Sequence, residues 1–241
     1  MDIVSFESYW DGKLQKLTFR HRAAIELLGV GRDSLLDVGC GDGLLIGLVK
    51  QQNENIQCAG VDFSENAVNI SAKKYPDGYF VRCNVATETL PFSDDSFDTV
   101  IALDILEHLF HPKNALIEMR RISRHDVIIG VPNFSSFPAR IQALFGRVPE
   151  NNFPKKSHVY WFNKGVLLKM LIEADFEVKD IKWNYQFQNV PVLRHLTKLL
   201  CRLRPSLFAL SFVVRAEKNS SSLPSQDNAD RAKEDDHVDN R

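Results

Sequence analysis

From Leu35 onward, short apolar runs alternate with stretches whose apolar residues recur every three or four positions. Residues 35–38, 56–61, 79–83, 97–103 and 127–131 read as buried strands, and 44–51, 65–74 and 113–122 as amphipathic helices. Continuous apolar strands alternating with helices are the pattern of a mostly parallel sheet covered on both faces, so the chain is expected to be α/β. A helix over 164–174, a strand over 176–183, a helix over 190–203 and a last strand over 207–215 bring the strand count to seven.

The rhythm breaks after Pro132. Residues 133–162 are rich in Phe, Pro and basic side chains and are too long for a simple connection, which predicts a substrate lid inserted after strand five. Residues 1–33 are expected to form an N-terminal helical cap, and the domain to run over 1–217. Residues 218–241 hold almost no apolar side chains and are expected to be a disordered tail.

Charge narrows the partners. Thirty Lys and Arg against 31 Asp and Glu leave a net charge of -1, so no global field draws the chain to nucleic acid. No apolar run reaches the roughly 20 residues of a spanning helix, and the first ten residues lack the basic-then-apolar order of a signal peptide, so a cytoplasmic protein is expected. Cys40, Cys58, Cys83 and Cys201 show neither metal-ligand spacing nor a disulfide framework and read as buried thiols; no metal is expected.

The sharpest chemical signal lies at Leu35-Leu36-Asp37-Val38-Gly39-Cys40-Gly41-Asp42-Gly43, an apolar strand running into three alternate glycines and then a helix. Glycines allow close backbone approach to a ligand, and the helix start offers unpaired amides. A nicotinamide cofactor calls for G-x-G-x-x-G, whereas here the spacing is G-x-G-x-G with Asp37 before it. An acid at a strand end suits an ammonium group, and a turn without a pyrophosphate site suits a sulfonium amino acid joined to adenosine. Asp62 closes the next strand, 21 residues after Gly41, where a carboxylate takes both ribose hydroxyls or else caps the following helix beside Ser64.

With Val61-Asp62, Leu90-Pro91-Phe92, Ser96-Phe97-Asp98 and Leu106-Glu107-His108 added, residues 34–176 resemble the class I S-adenosylmethionine-dependent methyltransferases, type 11. The resemblance implies a Rossmann-like fold and S-adenosyl-L-methionine as cofactor. It places the methionine portion at Asp37, Gly39, Cys40, Gly41 and Gly43, the ribose at Asp62, and the adenine beside Phe63 and at Asn84 and Val85. Leu103 would line the methyl-transfer side. Asn84 stands where the family usually has Asp. Further on, Val131-Pro132-Asn133-Phe134, Arg140 and Gly146-Arg147-Val148-Pro149 look like the MetW-like subfamily, which implies a second role as a non-catalytic partner or regulator of a biosynthetic enzyme; that subfamily lacks the Glu107-His108 pair.

Asp104, Glu107 and His108 follow strand four at the sheet edge where such folds bind ligands; Asp104 and His108 are the candidate catalytic residues, with His108 a general base or merely a packed or capping side chain. Phe137, Arg140, His158 and Tyr160 are the candidate contacts to an amphipathic, small-molecule or lipid-linked acceptor; satellite core packing is the alternative. Residues 190–203 pair leucines with Arg194, His195, Lys198 and Arg202, a pattern that suits either contact with a membrane surface or packing on the sheet.

Overall fold

The computed structural model describes residues 14–149, 157–186 and 190–219. Helix α1 (Phe19–Leu27) precedes β1 (Ser34–Val38), α2 (Leu44–Gln52), β2 (Gln57–Asp62), α3 (Glu65–Lys74) and β3 (Tyr79–Arg82). β4 (Phe97–Leu103), a 3-10 turn (Leu106–His108), α4 (Pro112–Ile122), β5 (Ser123–Pro132) and α5 (Phe137–Leu144) follow. α6 (Lys164–Glu173), β6 (Phe176–Tyr185), α7 (Pro191–Leu203), α8 (Pro205–Phe208) and β7 (Ala209–Lys218) close the sequence of elements.

The seven strands lie in the order β3-β2-β1-β4-β5-β7-β6. β1 to β5 run parallel, while β7 pairs antiparallel with both β5 and β6. The central strands are buried on both faces, as their unbroken apolar runs require: Leu36, Val38, Val100, Ala102, Val127 and Ile129 belong to one core, Leu35, Ile101 and Ile128 to the other. This is the expected Rossmann-like α/β sheet. Chain order reverses between β1 and β4, and in open sheets of this kind the crevice outside the carboxyl ends at that reversal is where ligands bind.

Several boundaries differ from the reading. The last strand begins at Ala209 because Pro205, with its fixed φ, starts the short helix α8 over positions assigned to the strand. Lys218, placed in the tail, closes β7 and bonds the Ser123 carbonyl (2.9 Å). The segment 133–162 holds a two-turn helix, α5, and its residues 150–156 fall outside those described, as do 1–13, 187–189 and 220–241. All four cysteines are buried and free.

Candidate functional site

The glycine turn is built where β1 ends. Gly39, Gly41 and Gly43 have φ of 79°, 54° and 78°, in the left-handed region that side chains resist. Gly39 and Cys40 both donate their N–H to the Val61 carbonyl, at 2.7 and 3.0 Å, which fastens the turn to β2. A Cβ on Gly39 would lie 2.0 Å from Ile105 Cδ1, so the missing side chain makes room for a residue of the β4 loop. At Gly43 the neighbours are Tyr75 and Ser71. Asp42 is buried and paired with Lys74 (2.8 Å), a contact that ties the turn to α3.

Asp62 reaches back from the end of β2. Its Oδ2 accepts the Gly41 N–H and its Oδ1 the Ser64 N–H, both at 2.9 Å. The carboxylate therefore braces the turn as well as facing the site. Phe63 is covered by the Arg82 guanidinium, 5.6 Å from its ring centre. Asn84 Oδ1 accepts the Ala86 N–H (3.1 Å), which turns the chain after β3, and Val85 packs against the core.

Asp37 is 4% exposed, and burial, with the Asp62 charge second, pushes its carboxyl up to about 8. An unfolded carboxyl titrates near 4. Folding without a ligand therefore takes up a proton between pH ~4 and 8, and stability falls as pH rises through that window. Two converging carboxylates, one held uncharged for want of a counter-charge, suit a ligand carrying an ammonium group. Asp37→Asn is expected to flatten the decline of Tm between pH 5 and 8 and to weaken binding of S-adenosylhomocysteine. Melting curves across that range check it, and an unchanged slope would remove Asp37 as its source.

Past the reversal point, a cavity of about 410 Å³ opens over the ends of β4 to β7, lined among others by Arg20, Asp104, Glu107, Gln142, His158 and Asn184. Asp104 (φ 60°) holds the Arg20 Nε at 2.7 Å. His108 Nδ1 is 3.1 Å from the Ser157 carbonyl oxygen, so that nitrogen carries the proton; burial lowers the pKa of the ring, against the Ser157 bond and Asp104. Its ring meets that of His158 edge-on at 4.9 Å.

Residues 36–130 match the family described as a methyltransferase domain. A "Probable S-adenosylmethionine-dependent methyltransferase" of Mycolicibacterium smegmatis is 31% identical over 177 residues, 72% of this chain and 62% of that protein. A demethylmenaquinone methyltransferase of Thermotoga maritima is 26% identical over 132 residues, 53% of this chain and 57% of that one. The chain thus spans about three fifths of the length of these curated relatives. The structure of an S-adenosylmethionine-dependent methyltransferase from Archaeoglobus fulgidus superposes with a TM-score of 0.60 at 21% identity, over 89% of this chain and 99% of that one. Magnesium protoporphyrin IX methyltransferase from Synechocystis does so with a TM-score of 0.60 at 16% identity, over 90% and 100%. These two likenesses concern the fold.

The chain carries a class I S-adenosylmethionine-dependent methyltransferase domain. The family match ends at Gly130, within β5, so the methyltransferase core includes the turn, Asp62, Asn84 and Asp104 but not the segment carrying Phe137, Arg140, His158 and Tyr160. Of those four, His158 lines the cavity. Phe137 is half exposed and stacks on Phe208 (6.1 Å), and Arg140 donates to the Ser135 carbonyl (2.8 Å). α5 instead turns Pro138, Ala139 and Gln142 toward the cavity. Tyr160 packs against Phe162 (4.9 Å) beside the core. Leu103 lies against Gly130, where a Cβ would come within 2.7 Å of it.

Sequence reasoning missed Arg20 and Ile105. Arg20 arrives from an N-terminal helix 84 residues away from Asp104 in sequence, and only the folded chain joins them. Glu107 was visible beside His108, but not that it is 1% exposed and lines the cavity.

Proposed function

We propose that this chain transfers a methyl group from S-adenosyl-L-methionine to a small-molecule or lipid-linked acceptor seated in the 410 Å³ cavity. The observation that carries the reading is continuity: Ile105 packs on the Gly39 turn, and its neighbour Asp104 lines the cavity. A donor cradled on β1 and β2 would thus present its sulfonium end to an acceptor above β4.

The roles follow from the positions. Asp37 receives the donor's ammonium group, and Gly39, Cys40, Gly41 and Gly43 let the backbone lie along its methionine portion. Asp62, at the end of β2, receives the ribose hydroxyls, as a carboxylate with several acceptor sites can. Phe63, Asn84 and Val85 hold the adenine, and Leu103 lines the transfer side. When bound, the donor supplies an already activated methyl: the acceptor's lone pair forms the new bond to carbon, and the C–S electron pair stays on sulfur. What the protein adds is positioning in a site away from water. His108, with Nδ1 protonated and its pKa lowered by burial, has a neutral ring whose Nε2 takes a proton from the acceptor.

A lipid-linked ring is the favoured acceptor class. Curated relatives include demethylmenaquinone methyltransferases and a ubiquinone biosynthesis O-methyltransferase. α7 exposes Leu196, Leu199 and Leu203 beside exposed Arg194, Lys198 and Arg202, a surface suited to an anionic bilayer. No helix among the described residues is long and apolar enough to cross a membrane.

Methyl-labelled donor incubated with the protein and with separate aqueous and lipid extracts tests the reading. Label in a lipid-extract product is expected. Tight S-adenosylhomocysteine binding without label in any fraction would overturn catalysis in favour of the docking-partner role.

A further inference from the structure

Glu107, His108 and His158 each bring one ligand atom to within 4.8 Å of the others. Nothing in the spacing of the sequence announces this, because 50 positions separate His108 from His158. The approach is fixed by backbone: the Glu107 carbonyl accepts the N–H groups of Val159 (2.8 Å) and Tyr160 (3.0 Å), which clamps that segment onto the 3-10 turn.

The Glu107 Oε2 atom is buried and has no hydrogen-bond partner among the described residues, and its side chain lines the cavity. A buried polar atom left without a partner is costly, and one whose side chain lines a cavity points to a ligand there. We propose that Glu107, His108 and His158 bind a divalent transition-metal ion of the zinc class, with a hydroxyl of the acceptor completing its coordination.

The chemistry of the donors selects the ion. Two imidazoles and one carboxylate suit zinc or ferrous iron, and the three-ligand set leaves a position open, as catalytic zinc sites do; calcium and magnesium prefer all-oxygen sets. His108 already has the second-shell arrangement of a ligating histidine: its Nδ1 proton sits on a backbone carbonyl, so the lone pair is on Nε2. Zinc–nitrogen bonds of about 2.0–2.1 Å put tetrahedral ligand atoms roughly 3.3 Å apart, so the trio closes by at most about 1.5 Å on binding. Side-chain rotation supplies that much. With the ion in place the His108 Nε2 lone pair is a ligand rather than the base, and an acceptor hydroxyl bound there would release its proton to solvent near neutral pH, as metal-bound water does, and be held beside the end of β4.

This inference rests on the methyltransferase reading only for the identity of the coordinated hydroxyl; metal binding stands without it. The test uses the full chain freed of any histidine tag, stripped with a chelator, and titrated calorimetrically with Zn²⁺, with metal content measured after dialysis. One zinc per chain is expected. Glu107→Gln and His158→Ala should each weaken zinc binding at least tenfold, while melting curves show a folded protein and S-adenosylhomocysteine affinity stays within twofold. Absorption of Co²⁺ placed in the site should change in the same two variants. Absence of stoichiometric binding to the wild type, or equal zinc affinity in Glu107→Gln, overturns the proposal. A wild-type chain that binds S-adenosylhomocysteine but no zinc sinks this inference alone, whereas zinc bound by the wild type without any affinity for S-adenosylhomocysteine sinks the methyltransferase reading alone.

Discussion

Asp126→Ala is expected to lower stability by roughly 3–5 kcal/mol, the cost of removing one partner from a buried ion pair. Asp126 is fully buried near the start of β5 and accepts from the Thr99 hydroxyl at 2.6 Å, from Arg32 at 2.8 and 3.2 Å, and from Arg215 Nε at 3.1 Å. One carboxylate thereby joins β4, β5, β7 and the segment leading into β1. Its loss leaves Arg32, whose side chain is only 15% exposed, without this partner, whereas Arg215 retains Glu217 at 2.7 Å. For a chain of this size the change corresponds to a fall in Tm of about 6–20 °C. The residue lies at the strand ends opposite the glycine turn, so the folded fraction should bind S-adenosylhomocysteine normally. Thermal melts with and without that ligand check both halves; a wild-type Tm would show that the arginines are satisfied elsewhere.

Asp62→Ala has the second large effect, and it falls on binding. The carboxylate is expected to hold the ribose and, in the structure, accepts the Gly41 and Ser64 N–H groups. Hydrogen bonds to a charged group contribute about 1.5–3 kcal/mol, so affinity for S-adenosylhomocysteine should fall roughly 10- to 150-fold. Because the same side chain braces the glycine turn, a loss of stability should accompany it. Asp62→Asn separates the two: one carboxamide oxygen can keep one backbone bond while the charge is gone. Calorimetry on both variants measures the split.

These two aspartates also mark what the sequence made legible. Asp62 stands out as a candidate because its signal is local order: an apolar strand, then an acid, at a set distance from a glycine turn. The central strands were readable for the same reason, since a strand buried on both faces must be continuously apolar. Asp126 was not, because an acid between Arg124-His125 and an apolar run looks like an exposed strand start until Arg32, 94 residues away, is folded against it. The Glu107, His108 and His158 cluster hid likewise, and Arg20 reached Asp104 only through α1. Around α5 composition misled more than distance: aromatic and basic residues drew attention to Phe137 and Arg140, yet the helix turns Pro138, Ala139 and Gln142 to the cavity. Helical phase, which one short helix of uncertain start does not reveal, decided which side chains face it.

The central claim is that the turn at Gly39 to Gly43, with Asp37 and Asp62, cradles S-adenosyl-L-methionine. Calorimetric titration of S-adenosylhomocysteine into the wild-type chain at pH 8, with NAD as the parallel ligand, tests it most directly. One saturable site for S-adenosylhomocysteine, weakened in Asp62→Ala, and no heat of binding from NAD is the predicted result; binding of NAD alone, or S-adenosylhomocysteine affinity unchanged in Asp62→Ala, would contradict it.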